Sequence, residues 1–200
     1  RGVTVKPPLA SNPPDVGDPL DRATATDVLS GRRVRERELA AVELDGTVVP
    51  GLHLTDVVVS GGTWANLQAR EAALERVEAT GLDAVGIQLA EASLTDCTFV
   101  DARLNLASFR FARLERVAFE RCRLEEADFY DASLRSVRFE GCTLTSAILD
   151  GATFERCELR GCELTGLTGA ERLRGVRMPW PDVVQIAGLL AAAAGIEIVD

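Results

Sequence analysis

The stretch Ala92–Leu144, ASLTDCTFVDARLNLASFRFARLERVAFERCRLEEADFYDASLRSVRFEGCTL, carries one pattern from end to end. Every fifth residue is large and apolar: Leu94, Phe99, Leu104, Phe109, Leu114, Phe119, Leu124, Phe129, Leu134, Phe139 and Leu144. Two residues before each stands a small apolar one, from Ala92, Cys97, Ala102 and Ala107 through to Val137 and Cys142. The other three positions are mostly Asp, Glu, Arg, Ser, Thr or Gly. Helices repeat about every 3.6 residues, simple strands every two and coiled coils about every 3.5, so none of them gives a period of five. A chain that turns a corner after every five residues does. Along each short side the large residue and the small one two before it point the same way, inward. Four such sides make a coil of twenty residues, and coils stacked about 4.8 Å apart satisfy one another's backbone groups.

The frame continues forward through Leu149, Phe154, Leu159 and Leu164, and backward through Leu44, Val49, Leu54, Val59 and Trp64. Residues twenty apart are expected to stack, which puts Phe99, Phe119 and Phe139 in one column and Phe109 and Phe129 in another. Between Ala65 and Ala84 the segment Asn66–Leu74 has good helix propensity. The fivefold frame nevertheless holds its phase on both sides. Large and small residues also trade seats there: Ala69 follows Leu67, Ala79 follows Val77 and Ala84 follows Leu82. Continuous coils are therefore expected through 65–84.

This fivefold pattern resembles the pentapeptide-repeat family, with its consensus A(D/N)LXX, from about Leu39 to Leu167. Asp or Asn is scarce just before the large residue, Asp128 being one of the few. The resemblance implies an all-β solenoid, a right-handed quadrilateral β-helix, with a short C-terminal helix for capping and dimerisation. The expected organisation is a proline-rich, charged N-terminal extension or cap (1–38), the repeat β-helix (39–168) and a C-terminal helix and strand (169–200).

The N-terminal twenty residues hold Pro7, Pro8, Pro13, Pro14 and Pro19, a composition for extended or disordered chain or for a strap along the solenoid. Arg32, Arg33, Arg35 and Arg37 interleave with Glu36 and Glu38, as in a solvated cap. At the other end Trp180–Pro181–Asp182 opens a helix and Gly195 stops it. Ile196–Val199 then alternates like a short strand. That helix is apolar nearly all round and needs two burial partners. The open end of the last coil is one, and a second subunit is the other. Val183, Val184, Ile186, Ala187, Leu189, Leu190, Ile196 and Ile198 are the expected dimer contacts.

The chain has a net charge of −9, which disfavours nucleic acid as a direct ligand and favours a basic protein surface. No run is long and apolar enough to span a membrane, and no signal peptide is visible, which suits a cytoplasmic protein. Cys97, Cys122, Cys142, Cys157 and Cys162, an odd number, are expected reduced and buried as small hydrophobes. His53, the single histidine, is expected to point outward. Metal sites and nucleophile–base pairs therefore have little to draw on, and no cofactor is expected. Carboxylate pairs on a convex rod lack a pocket that would tune them for acid–base work.

Partner binding is left to the surface. Its densest acidic patch is Glu125, Glu126, Asp128 and Asp131 around Tyr130, with Glu91 in the same outward column as Asp131. Asp101, Glu120 and Glu140 add charge on another side. Residues 92–166 carry 13 acidic and 10 basic residues, so their net charge is only −3. The C-terminal stretch LRGVRMPWPDVVQIAGLLAAAAGIEIVD resembles the ending of the quinolone-resistance (Qnr) and mycobacterial fluoroquinolone-resistance pentapeptide proteins. That resemblance implies a non-enzymatic dimeric rod that mimics duplex DNA and binds DNA gyrase. The alternative is a structural or interaction module for an unrelated protein.

Overall fold

The computed structural model describes residues 5–15 and 21–199, and most of that chain is one parallel β-solenoid of seven coils. The first three coils carry eight-residue strands, β2 (Arg33–Ala40), β3 (His53–Ser60) and β4 (Ala73–Thr80), which follow a two-residue strand β1 (Asp21–Arg22). Each long strand bends at a residue with positive φ, Glu36, Asp56 or Arg76, and so covers two sides. In the next four coils the bend splits each strand into a pair: β5 (Ser93–Thr95) and β6 (Thr98–Val100), β7 (Arg113–Glu115) and β8 (Ala118–Glu120), β9 (Ser133–Arg135) and β10 (Arg138–Glu140), β11 (Thr153–Glu155) and β12 (Glu158–Arg160).

Register is constant at twenty residues. Leu74 pairs with Leu94, Leu94 with Leu114, and Leu114 with Leu134 on the first side. Ala79 pairs with Phe99, Phe99 with Phe119, and Phe119 with Phe139 on the second. The third and fourth sides are too short for strands and are held by single bridges, such as Arg103↔Arg123 and Ser108↔Asp128. Their ladder bonds are as good as those of the strands: Leu104 N–H donates to Arg123 O at 2.7 Å and Ser108 N–H to Ile87 O at 2.9 Å.

Every corner needs a left-handed residue two places after the large one, and Glu91, Asp96, Asp101, Leu106, Phe111, Arg116, Arg121, Glu126 and Asp131 take that role in turn. Such backbone costs a residue with a Cβ roughly 1–2 kcal/mol. Local preference therefore opposes the coil, and the stacked interior has to supply what the corners lose. The inward seats do so. Phe99, Phe119 and Phe139 stack at 5.2 and 5.0 Å, and Phe109 stacks on Phe129 at 4.9 Å. The two phenylalanine columns meet edge to face across the tube, Phe109 with Phe119 at 6.1 Å and Phe129 with Phe139 at 5.9 Å.

Coils run without a break through 65–84, where Leu67, Ala69, Val77, Ala79, Leu82 and Ala84 are all buried. Tertiary burial overrides the helical propensity of this stretch because the exchanged large and small seats still fill the tube. Gly62 keeps its Cα hydrogen against Val42: a Cβ there would lie 2.4 Å from the Val42 carbonyl oxygen, and φ is +92°.

The ends depart from the expected boundaries in two ways. The ladder takes in Arg33–Ala40, so regular coil pairing starts before residue 39. Ahead of it, α1 (Ala25–Gly31) is closed by a capping box from Thr24 and Asp27, and its Val28 is fully buried. Within the 1–38 extension, residues 1–4 and 16–20, with Pro19, lie outside the described residues. At the C-terminus the frame slips by one, Glu158 bridging Arg177, after a 3₁₀ turn at Ala170–Leu173. The expected single helix is two, α2 (Trp180–Gln185) and α3 (Ala187–Ala193), broken at Ile186. Gly195 ends α3 with φ +75°, its N–H donating to Ala192 O while Ile196 N–H donates to Ala191 O.

Ile196–Val199 is not a strand. On the third side of the last coil, α2 already takes the place of a further strand. Gly161 N–H donates to Asp182 Oδ2 at 2.6 Å, and Gln185 bonds both Leu164 N–H and Cys162 O. Two polar side chains thus stop the ladder where open strand edges would invite further pairing.

Phe119→Ala, in the middle of the aromatic stack, is expected to destabilise the rod by about 3–5 kcal/mol. Leu106→Ala, at an exposed corner, is expected to stay within about 0.5 kcal/mol of the parent. Chemical denaturation followed by far-ultraviolet circular dichroism measures both.

Candidate functional site

Four sides leave four outward surfaces and four corners, and the eight expected contact carboxylates lie at three of the corners and on the fourth side. Asp101, Glu120 and Glu140 stand where the second side turns into the third. Glu91, Asp128 and Asp131 stand on the fourth side and the corner after it, with Glu125 and Glu126 at the corner before it.

Most of these carboxylates meet an arginine in a neighbouring coil. Arg121 holds Asp101 through both nitrogens at 2.8 and 3.0 Å and keeps that carboxyl below its usual range. Arg138 lies 2.7 Å from Glu120 and 3.6 Å from Glu140. Arg70 reaches Glu91 at 2.6 Å and Arg110 reaches Asp128 at 2.8 Å. Among the described residues no arginine pairs with Glu125, Glu126 or Asp131, though Glu125 accepts a hydrogen bond from the Asn105 amide. The eight acidic positions therefore form no continuous row of bare charge. Of the eight, the three without an arginine partner flank the fourth side.

The same place holds a feature that the fivefold frame hides. Phe111 and Leu106 are apolar corner residues, 49% and 52% exposed. Phe111 sits one coil from Glu91 and one from Asp131 in their shared column, and packs edge to face on Tyr130 at 5.7 Å. The Arg110 guanidinium lies 4.4 Å over the Tyr130 ring and 5.6 Å from Phe111. Asp128 anchors that guanidinium and also accepts the Tyr130 N–H at 2.9 Å. The pair of rings is thus fixed from behind by a charge-neutral Arg–Asp couple, with Glu126 and Asp131 at its rim. Reading each residue against its position in the five-residue side, rather than by polarity alone, would have exposed Phe111 and Leu106 as outward.

The C-terminal residues separate in the same way. Ile186 is 1% exposed inside its own chain, so it is a core residue and is withdrawn from the expected dimer contacts. Leu190 packs partly against the core and Val183 is half-buried. Val184, Ala187, Leu189, Ile196 and Ile198 are exposed, as are Trp180 and Val199, which the expectation omitted.

The cysteines line the tube. All five are free and buried, each donating its thiol to a carbonyl of the preceding coil, as Cys122 does to Phe99 O at 3.3 Å. Burial pushes the Cys97 thiol up to about 12 and that of Cys157 up to about 11. His53 is half-buried on the first side. Among the described residues no group of three or more His, Cys, Asp and Glu side chains is placed to hold a metal ion, and no helix is long and apolar enough to cross a membrane.

A parallel solenoid with five-residue sides, left-handed corners and paired large and small inward seats defines a class of rod-shaped repeat proteins. The family model for a pentapeptide repeat region matches residues 72–149, and that for pentapeptide repeats (8 copies) matches residues 138–168. Residues 72–168, spanned by the two matches together, carry pentapeptide repeats. No curated protein matches the chain. Among solved structures it is similar to full-length QnrB1, described as a plasmid-mediated fluoroquinolone resistance protein. That match has 16% identity and a TM-score of 0.33, and covers 82% of this chain and 90% of the other. HetL, a pentapeptide repeat protein involved in heterocyst differentiation regulation in the cyanobacterium Nostoc, matches at 17% identity and a TM-score of 0.21, covering 78% of this chain and 94% of its own. Rfr23 from the cyanobacterium Cyanothece matches at 16% and 0.22, covering 77% and 92%.

The five thiols are expected to ignore a water-soluble disulfide reagent at mildly alkaline pH and to react together once denaturant opens the coils. Absorbance of the released thiolate measures this, and a cysteine titrating in the native rod would contradict its inward seat.

Proposed function

We propose that this chain is a non-enzymatic protein-binding rod that docks through its fourth side and the flanking corners. The observation that carries the proposal is the pair of exposed Phe111 and half-buried Tyr130, held by Arg110 and Asp128 and rimmed by Glu125, Glu126 and Asp131. Aromatic anchors with little freedom left to lose are the residues that dominate protein interfaces. A carboxylate rim raises the encounter rate with a basic partner and fixes its orientation. The carboxylates around this pair lie on a convex, ladder-bonded surface, unlike the concave sites in which catalytic groups are tuned.

DNA gyrase is the first partner to test, with the rod standing in for duplex DNA. Net acidity supports this narrower reading, and so does the C-terminal sequence, which resembles that of the fluoroquinolone-resistance proteins. With Glu91, Asp101, Glu120, Asp128 and Glu140 paired to arginines, Glu125, Glu126 and Asp131 are the expected contact carboxylates that lack an arginine partner. On this reading the rod alters gyrase supercoiling in the presence or absence of a quinolone. Replacing Glu125, Glu126 and Asp131 with Lys is expected to weaken that effect by roughly tenfold, about 1.4 kcal/mol, without loss of folded signal. No effect of the parent rod in large molar excess would set gyrase aside in favour of an unrelated protein partner. An unchanged triple variant would set aside the patch.

A homodimer through α2, α3 and the residues after them belongs to the same proposal. Trp180, Val184, Leu189, Ile196 and Ile198 are exposed large apolar side chains, and clustered exposure of this kind marks an interaction site. Light scattering at micromolar concentration is expected to give twice the protomer mass, and Val184→Asp with Leu189→Asp to give the protomer mass.

A further inference from the structure

Among the described residues, the corner between the first and second sides holds the most buried ion pairs. Asp56, Arg76, Asp96 and Arg116 follow one another at intervals of one coil. Arg76 grips Asp56 with its Nε and Nη2 at 2.5 and 2.8 Å, and Arg116 grips Asp96 likewise at 2.7 and 2.9 Å. Asp56 is 4% exposed and Asp96 6%. These arginines leave lone pairs on both Oδ1 atoms, and the N-terminal segment uses them. Asn12 donates its backbone N–H and its side-chain amide to Asp96 Oδ1, both at 3.1 Å. Asp15 N–H donates to Asp56 Oδ1 at 2.9 Å.

The geometry of this contact is matched along both chains. The two carboxylates lie two coils apart, close to 9.6 Å at a spacing of about 4.8 Å. Asn12 and Asp15 are separated by Pro13 and Pro14, and three residues of extended or polyproline chain reach about 9–10 Å. The prolines pre-set that extension and have no N–H of their own. The flanking residues therefore present the only backbone donors at the interval at which acceptors recur. Further along, Ser11 Oγ lies 2.9 Å from Thr98 Oγ1, and Pro8–Ser11 face Val117, Ala118 and Arg138 across a cleft of about 140 Å³. Ala118 occupies an outward position yet is 6% exposed.

We propose that this corner is a recognition groove for extended peptides with a central Pro-Pro, occupied in cis by the protein's own residues 8–15 and open to a peptide of the same class in trans. Recognition rests on buried carboxylates that read main-chain N–H groups at a fixed interval, with the Thr98 hydroxyl and the Ala118 floor choosing small residues ahead of the prolines. The groove is separate from the Phe111–Tyr130 surface and does not depend on the function proposed for that surface.

The test uses full-length protein in which Asn12→Pro and Asp15→Pro remove both strap donors while the groove is left intact. The probe is a fluorescent synthetic peptide VKPPLASNPPD, residues 5–15. Saturable binding to this variant is expected, with binding to the parent at least roughly tenfold weaker because the tethered strap competes at high effective concentration. Adding Ala118→Arg, which fills the floor from outside the core, is expected to abolish binding. Adding Asp96→Asn is expected to weaken it by roughly tenfold, as loss of a charged acceptor does. The proposal is overturned if the variant fails to bind the peptide up to millimolar concentration, if a scrambled peptide binds equally, or if Ala118→Arg leaves binding unchanged.

Discussion

Stacking of each inward side chain on its counterpart twenty residues away is the interaction on which the rest depends. Most of the corners, those without glycine, do not form on local preference. Their left-handed residues include Leu106, Phe111, Arg116 and Arg121, none of which favours that backbone region. What holds them is the combination of Phe99–Phe119–Phe139 and Phe109–Phe129 stacking with a backbone ladder that each coil completes only with its neighbours. Once one coil adopts the shape, the next has both its hydrogen-bond partners and its packing partner in place, as expected for a quasi-one-dimensional repeat.

That dependence explains what can be read from the sequence and what cannot. The fivefold frame is legible because an inward seat in a narrow tube accepts only apolar side chains. The frame also survives the exchanged seats of Leu67 and Ala69, because only their summed volume matters to the interior. Phe111 and Leu106 are hidden by the same rule: their polarity matches the core seats, and only their place two residues after Phe109 and Leu104 turns them outward. Counting charges along the chain misses the arginine pairing too, whereas the twenty-residue interval joins Asp101 to Arg121, Asp96 to Arg116 and Asp56 to Arg76. At the ends no repeat disciplines the chain. The alternation at Ile196–Val199 predicts a strand that does not form, and Asp182, legible as a helix-start residue, serves also to close the last coil.

Function follows from the same economy. The interior is fully used for packing, so the thiols that might carry chemistry are locked into it, and what varies freely is the outer surface. There the charges are largely spent on one another. Two places differ: the aromatic pair beside unpaired carboxylates on the fourth side, and the corner between the first and second sides where buried aspartates take main-chain donors from the N-terminal strap. Both gain their rigidity from arginines spanning adjacent coils, so the scaffold and its recognition surfaces share one twenty-residue ruler.

The most direct test of that ruler is to lengthen it. Residues 102–121, one complete coil, are inserted in three further tandem copies, and small-angle X-ray scattering follows the product. Stacked coils predict a rod about 14 Å longer, at about 4.8 Å per coil, with an unchanged cross-sectional radius. A wider cross-section, or an expanded unfolded chain, would contradict stacking at a twenty-residue interval.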